Sequence, residues 1–327
     1  MHEMVPGLVS TIIPVCNRSV MLREAVASVL AQTYRPIEII IVDDGSTDDT
    51  ARVADELAQT KPQEIRVIHQ SNTGPGLARE AGQRAALGEF IQHLDSDDLL
   101  LAEKFEKQVA GLRAHPECGV AYGKTRYRHA DGRVEAQPWK GSGTRVETMF
   151  PSFLLSRWWD TPTPLYRASL CEQAGPWTNL RLEEDWEYDC RVASLGVRLD
   201  YCDKFVVEVR DHNENRLCKG EAVDPERMRE RARAHALILS HARKAGLKED
   251  APEMQHFARE LFLLSRQCGA AGLAAESKRL FELARDASGE TRGKGWDFKV
   301  YRFLASIAGW TWLGKMACYS DTIRDEK

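Results

Sequence analysis

Four apolar, β-branched runs recur in the first third of the chain, and each ends in a polar or acidic cluster: Leu8–Val15, Ile37–Val42, Ile65–His69 and Gly88–Leu94. A run apolar nearly throughout is a strand buried on both faces. Helical spacing fills the intervals, first with Leu22, Ala25, Val26, Val29 and Leu30, closed by Pro36. Ala51, Val53, Ala54, Leu57 and Ala58 follow, then Leu77, Ala78, Ala81 and Ala85. Ser19 is placed to cap the first helix and Thr47 or Asp48 the second. Strand and helix alternating at this rhythm predict a mostly parallel sheet with helices on both faces. Such sheets bind ligands at the carboxyl ends of their strands. Here those ends carry Asn17-Arg18, Asp43-Asp44, the Asn72–Gly76 loop and Asp95/Asp97.

The fourth run ends in three carboxylates within Asp95-Ser96-Asp97-Asp98. Buried together and unpaired they would cost several kcal/mol or more, so they face water, a cation, or both. If the span is extended, Asp95 and Asp97 share a side, and Asp98 points the other way to cap the following helix. Two converging oxygen donors suit a hard divalent ion such as Mg²⁺ or Mn²⁺. An acidic turn capping the next helix fits the same residues.

Beyond this point a helix over 101–114, a strand over 119–122 and a hairpin turn at Asp131-Gly132 are expected. The stretch 139–170 is irregular and rich in Trp, Pro, Thr and Arg, the composition of a functional segment. Glu183-Glu184-Asp185 opens a helix whose Leu182, Trp186, Cys190 and Ala193 mark a buried face. Two strands, 197–201 and 204–209, run to Arg210-Asp211-His212-Asn213. From Pro225 helices dominate, split at Gly246, Gly269–Gly272 and Gly289–Gly295, with one helical hairpin over Phe257–Ala287.

Val9–Arg18, Val42–Thr50, Asn72–Gly82, Leu94–Asp98 and Glu184–Trp186 together resemble the family-2 glycosyltransferases of the GT-A fold. Their order and spacing match over about residues 8 to 215; the last third is not covered. The resemblance implies a Rossmann-like GT-A domain over 1–222, its donor half about 1–118 and its acceptor half about 119–222. An α-helical region, 223–327, follows. It implies transfer of a sugar, with inversion, from a nucleotide-diphospho-sugar (a UDP-sugar foremost) to a hydroxyl of a saccharide or glycolipid. Pro14, Val15, Asn17 and Arg18 would line the nucleoside, and Asp44 with Asp43 would recognise the base. Arg79 would lie near the nucleotide, and Asp95 with Ser96 on the donor side. Asp97 would be the principal ligand of Mn²⁺ or Mg²⁺, joined by His212. Asp185 would be the general base, with Glu184 its nearest rival and Glu183 a solvated neighbour. Trp158, Trp159, Glu184 and Trp186 would meet the acceptor, the tryptophans of 158 and 159 having the core as their alternative; for Trp177 the core reading is preferred. One departure from the family pattern is Glu80, where an asparagine often follows the arginine.

A net charge of −4 argues against broad nucleic-acid binding. The eight cysteines are scattered without metal-ligand or redox spacing, which fits a reducing cytoplasm. No secretory signal is read at the start. Residues 303–314 are uncharged and flanked by Lys299, Arg302 and Lys315. They are too short to span a bilayer but suited to an interfacial helix, so peripheral membrane contact through 296–319, on the inner face of the plasma membrane, is expected. A helix packed on the enzyme domain or on a partner chain is the alternative, and oligomeric state stays open. A catalytically silent binding module docking through its C-terminal helices is the rival function, disfavoured by the joint presence of Asp44, Asp97 and Asp185. A nucleotidyltransferase is disfavoured because 14–18 holds no glycine.

Overall fold

The first four strands pair as the apolar runs require. β1 (Val5–Val15) lies between β2 (Ile37–Asp44) and β4 (Gly88–His93), both parallel to it, and β3 (Ile65–Gln70) lies parallel to β2. The computed structural model describes residues 4–212 and 224–325. The full sheet has eight strands in the order β3-β2-β1-β4-β7-β6-β8-β5, adding β5 (Leu99–Leu100), β6 (Cys118–Arg128), β7 (Leu165–Arg167) and β8 (Arg198–Arg210). β7 runs antiparallel to β4 and β6, whereas β6 and β8 are parallel.

Helices α1 (Ser19–Leu30), α2 (Thr50–Thr60), α3 (Pro75–Ala85), α4 (Lys104–Ala114) and α5 (Ala168–Ala174) accompany the sheet. Alternation along β2 shows why its sequence is apolar throughout. Ile39 and Ile41 pack in one core with Val26, Val29 and Phe105, while Ile40 and Val42 pack in another with Ala78. Gly82 lets α3 approach closely, since a Cβ there would lie 2.4 Å from Ile12 Cγ2.

Several local expectations are corrected. Ser19 is the first residue of α1 rather than its cap; Arg18 holds that position and makes no side-chain capping bond. Asp49 precedes α2, and Asp48 instead accepts the Thr50 N–H at 2.9 Å. The strand at 119–122 extends to Arg128, and the two strands expected within 197–209 are one, Arg198–Arg210, because β6 and β8 pair along their length through register shifts. The hairpin turn at Gly132 forms, with φ +86° and Gly132 donating to the His129 carbonyl at 2.9 Å.

The chain divides into two compact units. The first comprises the described residues of Met1–Met149, Arg157–Asn179 and Leu195–Glu214, and so holds the sheet. The second comprises those of Phe150–Ser156, Leu180–Ser194 and Asn215–Lys327. It contains α6 (Glu184–Ala193), α7 (Pro225–Lys244), α8 (Pro252–Ala270), α9 (Ala274–Ala287), α10 (Gly289–Gly293), α11 (Trp296–Ala308) and α12 (Trp310–Asp325). The boundary expected at 222/223, and Asn213 beside His212, lie outside the described residues. α8 and α9 form the expected hairpin. The apolar segment 303–314 is not one helix: Gly309, at φ +84°, separates α11 from α12. Among the described residues no helix is long and apolar enough to cross a membrane.

Candidate active site

The carboxyl ends of β1, β2 and β4 are joined by side chains reaching between loops. Pro14 and Val15 are buried as the last residues of β1. Asn17, held at φ +54°, accepts the Thr47 N–H at 2.7 Å and the Asp48 N–H at 3.3 Å, tying the β1 loop to the β2 loop. Asp43 accepts the Ser46 N–H at 3.1 Å and lies 3.0 Å from His69 Nδ1. Hydrogen bonds to Asp43 and then Asp55 raise the His69 pKa. Asp44 accepts from the Thr73 N–H and Gln70 Nε2, both at 2.8 Å, and from the Gly74 N–H at 2.9 Å. A carboxylate offers about four acceptor sites, so Asp44 is largely engaged in shaping the 72–74 loop. Gly45 is required there, because at φ +72° a Cβ would sit 2.7 Å from the Asn72 nitrogen.

The acidic cluster is a turn, which corrects the extended reading of 94–98. β4 ends at His93, and the Asp98 N–H donates to the Asp95 carbonyl at 3.0 Å. Strand alternation therefore does not place Asp95 and Asp97; their partners do. Asp95 accepts from Arg79 Nη2 at 2.6 Å. Asp97 Oδ2 is bonded by Arg18 Nη1 and lies 2.8 Å from His212 Nε2. Burial would raise the Asp97 carboxyl, but the Arg18 charge and the His212 bond together hold it below the usual carboxylate range. Ser96 is buried inside the turn. Asp98 does not cap α4, which starts six residues later at Lys104. It is buried and accepts the Arg210 N–H at 3.1 Å, and burial followed by Asp97 and Asp95 pushes its pKa well up.

Two positioning devices escaped the sequence reading. Arg210 Nε donates to the Asp97 carbonyl at 2.6 Å, so β8 clamps the turn from its backbone side. Arg79 is itself held, buried, with its guanidinium 5.0 Å above the Trp177 ring. Glu80, the departure from the family pattern, accepts the Trp177 N–H at 3.0 Å, and Gln83 accepts from Trp177 Nε1 at 3.3 Å. The carboxylate at 80 thus supports the tryptophan that covers Arg79. Arg210 could have been noticed only as a cation ending a strand opposite an acidic cluster.

Trp159 is fully buried, 5.1 Å from the Tyr122 ring, so it fills the core and cannot stack on an acceptor. Trp177 is also buried. Trp158 is half-buried beside Gly141, where a Cβ would meet its ring at 2.6 Å.

In the second unit, Glu184 and Asp185 lie in the first turn of α6. Glu184 is buried, and Asp185 is half-buried and accepts the Trp186 N–H at 2.7 Å. Trp186 is not an open stacking platform. Its Nε1 donates to the Phe153 carbonyl at 2.8 Å and its ring packs edge-on to His235. Glu183 is not merely solvated: at φ +60° it pairs with Arg231 at 2.9 Å and His235 at 3.0 Å.

Whether Asp97 and His212 suit a divalent ion can be tested on their spacing. Two ligands about 2.1 Å from an octahedral metal stand about 3.0 Å apart, close to the 2.8 Å between Asp97 Oδ2 and His212 Nε2. That spacing suits two ligands of one ion as well as the hydrogen bond the pair makes here, and Arg18 bonds the same carboxylate oxygen. Among the described residues no third His, Cys, Asp or Glu completes a protein-only set.

Residues 10–170 match the family model described as glycosyl transferase family 2. An uncharacterized glycosyltransferase of Rickettsia felis is 35% identical over 177 residues, which is 54% of this chain and 29% of the relative. The chain thus spans less than a third of that relative's length. In fold it resembles S. aureus TarS 1–349, solved in complex with UDP-GlcNAc, at a TM-score of 0.64 and 21% identity, covering 86% of this chain and 88% of that one. It also resembles the mannosyltransferase PcManGT of Pyrobaculum calidifontis, solved with GDP-Man and Mn²⁺, at a TM-score of 0.52 and 18% identity, covering 98% and 88%. By the motifs at its strand ends and the family-model match, residues 10–170 of the chain belong to glycosyl transferase family 2.

Proposed function

We propose that the chain transfers a sugar from a nucleotide-diphospho-sugar, with UDP-sugars the first donors to test, to a hydroxyl of a saccharide or lipid-linked acceptor, inverting the anomeric centre. The observation that carries this reading is the meeting of Arg18, Asp97 and His212 at the carboxyl ends of β1, β4 and β8, beside the Arg79–Asp95 pair. The loops at 15–18, 43–47 and 72–74 are held to one another and form the wall for a nucleoside. Asp97 and His212 would hold Mn²⁺ or Mg²⁺, which when bound neutralises charge on the departing diphosphate. Arg18 would turn from Asp97 to the diphosphate oxygens, a bidentate role that suits its guanidinium.

Inversion requires the acceptor oxygen to form its bond to the anomeric carbon as the bond to the diphosphate breaks on the opposite side. Asp185 takes the hydroxyl proton in this reading, a contribution of about 10²–10⁴-fold. Peripheral contact with a membrane through residues 296–319 would keep the enzyme where lipid-linked acceptors reside. A thermal-shift panel of nucleotide sugars with and without Mn²⁺ tests the reading, because a ligand of the native state alone raises its stability. A Mn²⁺-dependent shift with one nucleotide class is expected; no shift with any donor contradicts it.

A further inference from the structure

The second unit carries an apolar surface that its own packing leaves uncovered. On α11, Phe298 and Ala305 face inward at 6% and 3% exposure, and Phe298 and Tyr301 join an aromatic cluster with Phe262 and Phe281. This inner face fixes the helix. The opposite stripe, Trp296, Val300, Phe303, Leu304 and Ile307, follows the same period and is exposed, from 37% at Val300 to 81% at Trp296. Trp312, Met316 and Tyr319 form a second exposed stripe, on α12, again at helical spacing. Single exposed apolar residues need no explanation, but a contiguous set marks an interaction face.

We propose that the outward face of α11 and α12 docks on an anionic lipid surface. Residues 296–319, which carry the exposed stripes, hold three basic residues and one acidic one in a chain whose net charge is −4, and the end of α12 adds Arg324 against Asp321 and Asp325. Lys299 and Arg302 alternate with the apolar stripe along α11, and Lys315 does so on α12. Protein interface cores are depleted in lysine. At a bilayer boundary a lysine can lay its stem along the apolar face and lift its charge to a phosphate. Trp296, Trp312 and Tyr319 offer the amphipathic rings favoured at headgroup depth. The helices are too short to span, so they lie in the interface, their apolar side chains at the headgroup–acyl boundary and their cations on anionic headgroups.

This deepens the peripheral contact proposed above and rests on it, while lipid binding is measured without donor or metal. Flotation of the full chain with vesicles of phosphatidylcholine, alone or mixed with phosphatidylglycerol, is the test. The wild type should float with the mixed vesicles at least tenfold better than with phosphatidylcholine alone, and less in high salt. A Phe303→Ser/Ile307→Ser variant should lose flotation at unchanged Tm, because both side chains are exposed. Lys299→Gln/Arg302→Gln should lose the preference for phosphatidylglycerol. No flotation, equal flotation with both vesicles, or concentration-dependent self-association abolished by Phe303→Ser/Ile307→Ser would overturn the inference. Wild-type flotation with no nucleotide-sugar binding would uphold it and contradict the transferase reading alone.

Discussion

His212 Nε2 lies 2.8 Å from Asp97 Oδ2, across 115 positions of chain, and Arg18 bonds the same oxygen. One carboxylate oxygen therefore serves an imidazole and a guanidinium at once. In the proposed reading, a cation entering this site displaces the Arg18 charge and keeps the imidazole. Arg18→Ala should consequently tighten binding of Mn²⁺ alone while weakening UDP in its presence, each by about tenfold or 1.4 kcal/mol. His212→Ala should weaken both. Calorimetric titration of each variant with Mn²⁺ and then UDP separates these outcomes; a uniform loss in Arg18→Ala would mean that Arg18 does not compete for the site.

Asp185→Asn keeps the size of the side chain and its place in the first turn of α6 while removing the acceptor of a proton. Donor affinity should stay within about twofold, and turnover should fall about 10²–10⁴-fold. Turnover within about threefold of wild type would remove Asp185 from the chemistry and direct attention to Glu184.

The adjacent tryptophans should part company. Trp159→Ala should cost about 3–5 kcal/mol of stability, as large buried truncations do, because its ring is fully enclosed beside Tyr122. Trp158→Ala should cost less than half as much, since that ring is partly open. Urea midpoints of the two variants check the contrast.

The sheet was legible because β1, β2 and β4 are buried on both faces, which forces unbroken apolar runs, while α1–α3 carry a clear period. The candidate site residues were legible as strand ends, yet their arrangement was not. Asp95 and Asp97 obey a turn closed by the Asp98 N–H, and no local pattern distinguishes that turn from a continuing strand. The clamps on it, Arg210 and the Arg79–Trp177–Glu80 stack, join residues far apart in sequence. Paired tryptophans look alike as letters, and only tertiary packing separates Trp159 from Trp158. The helix break at Gly309 was hidden inside an uncharged run whose composition suggested continuity.

Two acidic residues of the second unit predict a pH response. Burial would raise Glu187, but its bond to His241 at 2.7 Å and the Arg191 charge lower it; Glu183 is lowered in the same way by His235 and Arg231. A depressed folded pKa contributes stability that is present above the ordinary glutamate value of about 4.3 and is lost as pH falls through the folded value. Wild type should therefore lose stability below about pH 4.3, and Glu187→Gln, less stable at pH 7, should lose less over the same range. Urea midpoints at pH 7, 4.5 and 3 test this. Equal acid losses would show that Glu187 ionisation is not linked to folding.

The most direct test of the account is calorimetry of UDP binding, with and without Mn²⁺, to the wild type and to Asp97→Ala. Asp97 sits where the β4 turn, Arg18 and His212 meet, so the whole reading depends on it. Wild type should bind UDP at least tenfold tighter with Mn²⁺, and Asp97→Ala should lose that gain while keeping its fold by circular dichroism. The same Mn²⁺-dependent affinity in Asp97→Ala as in wild type would contradict the account.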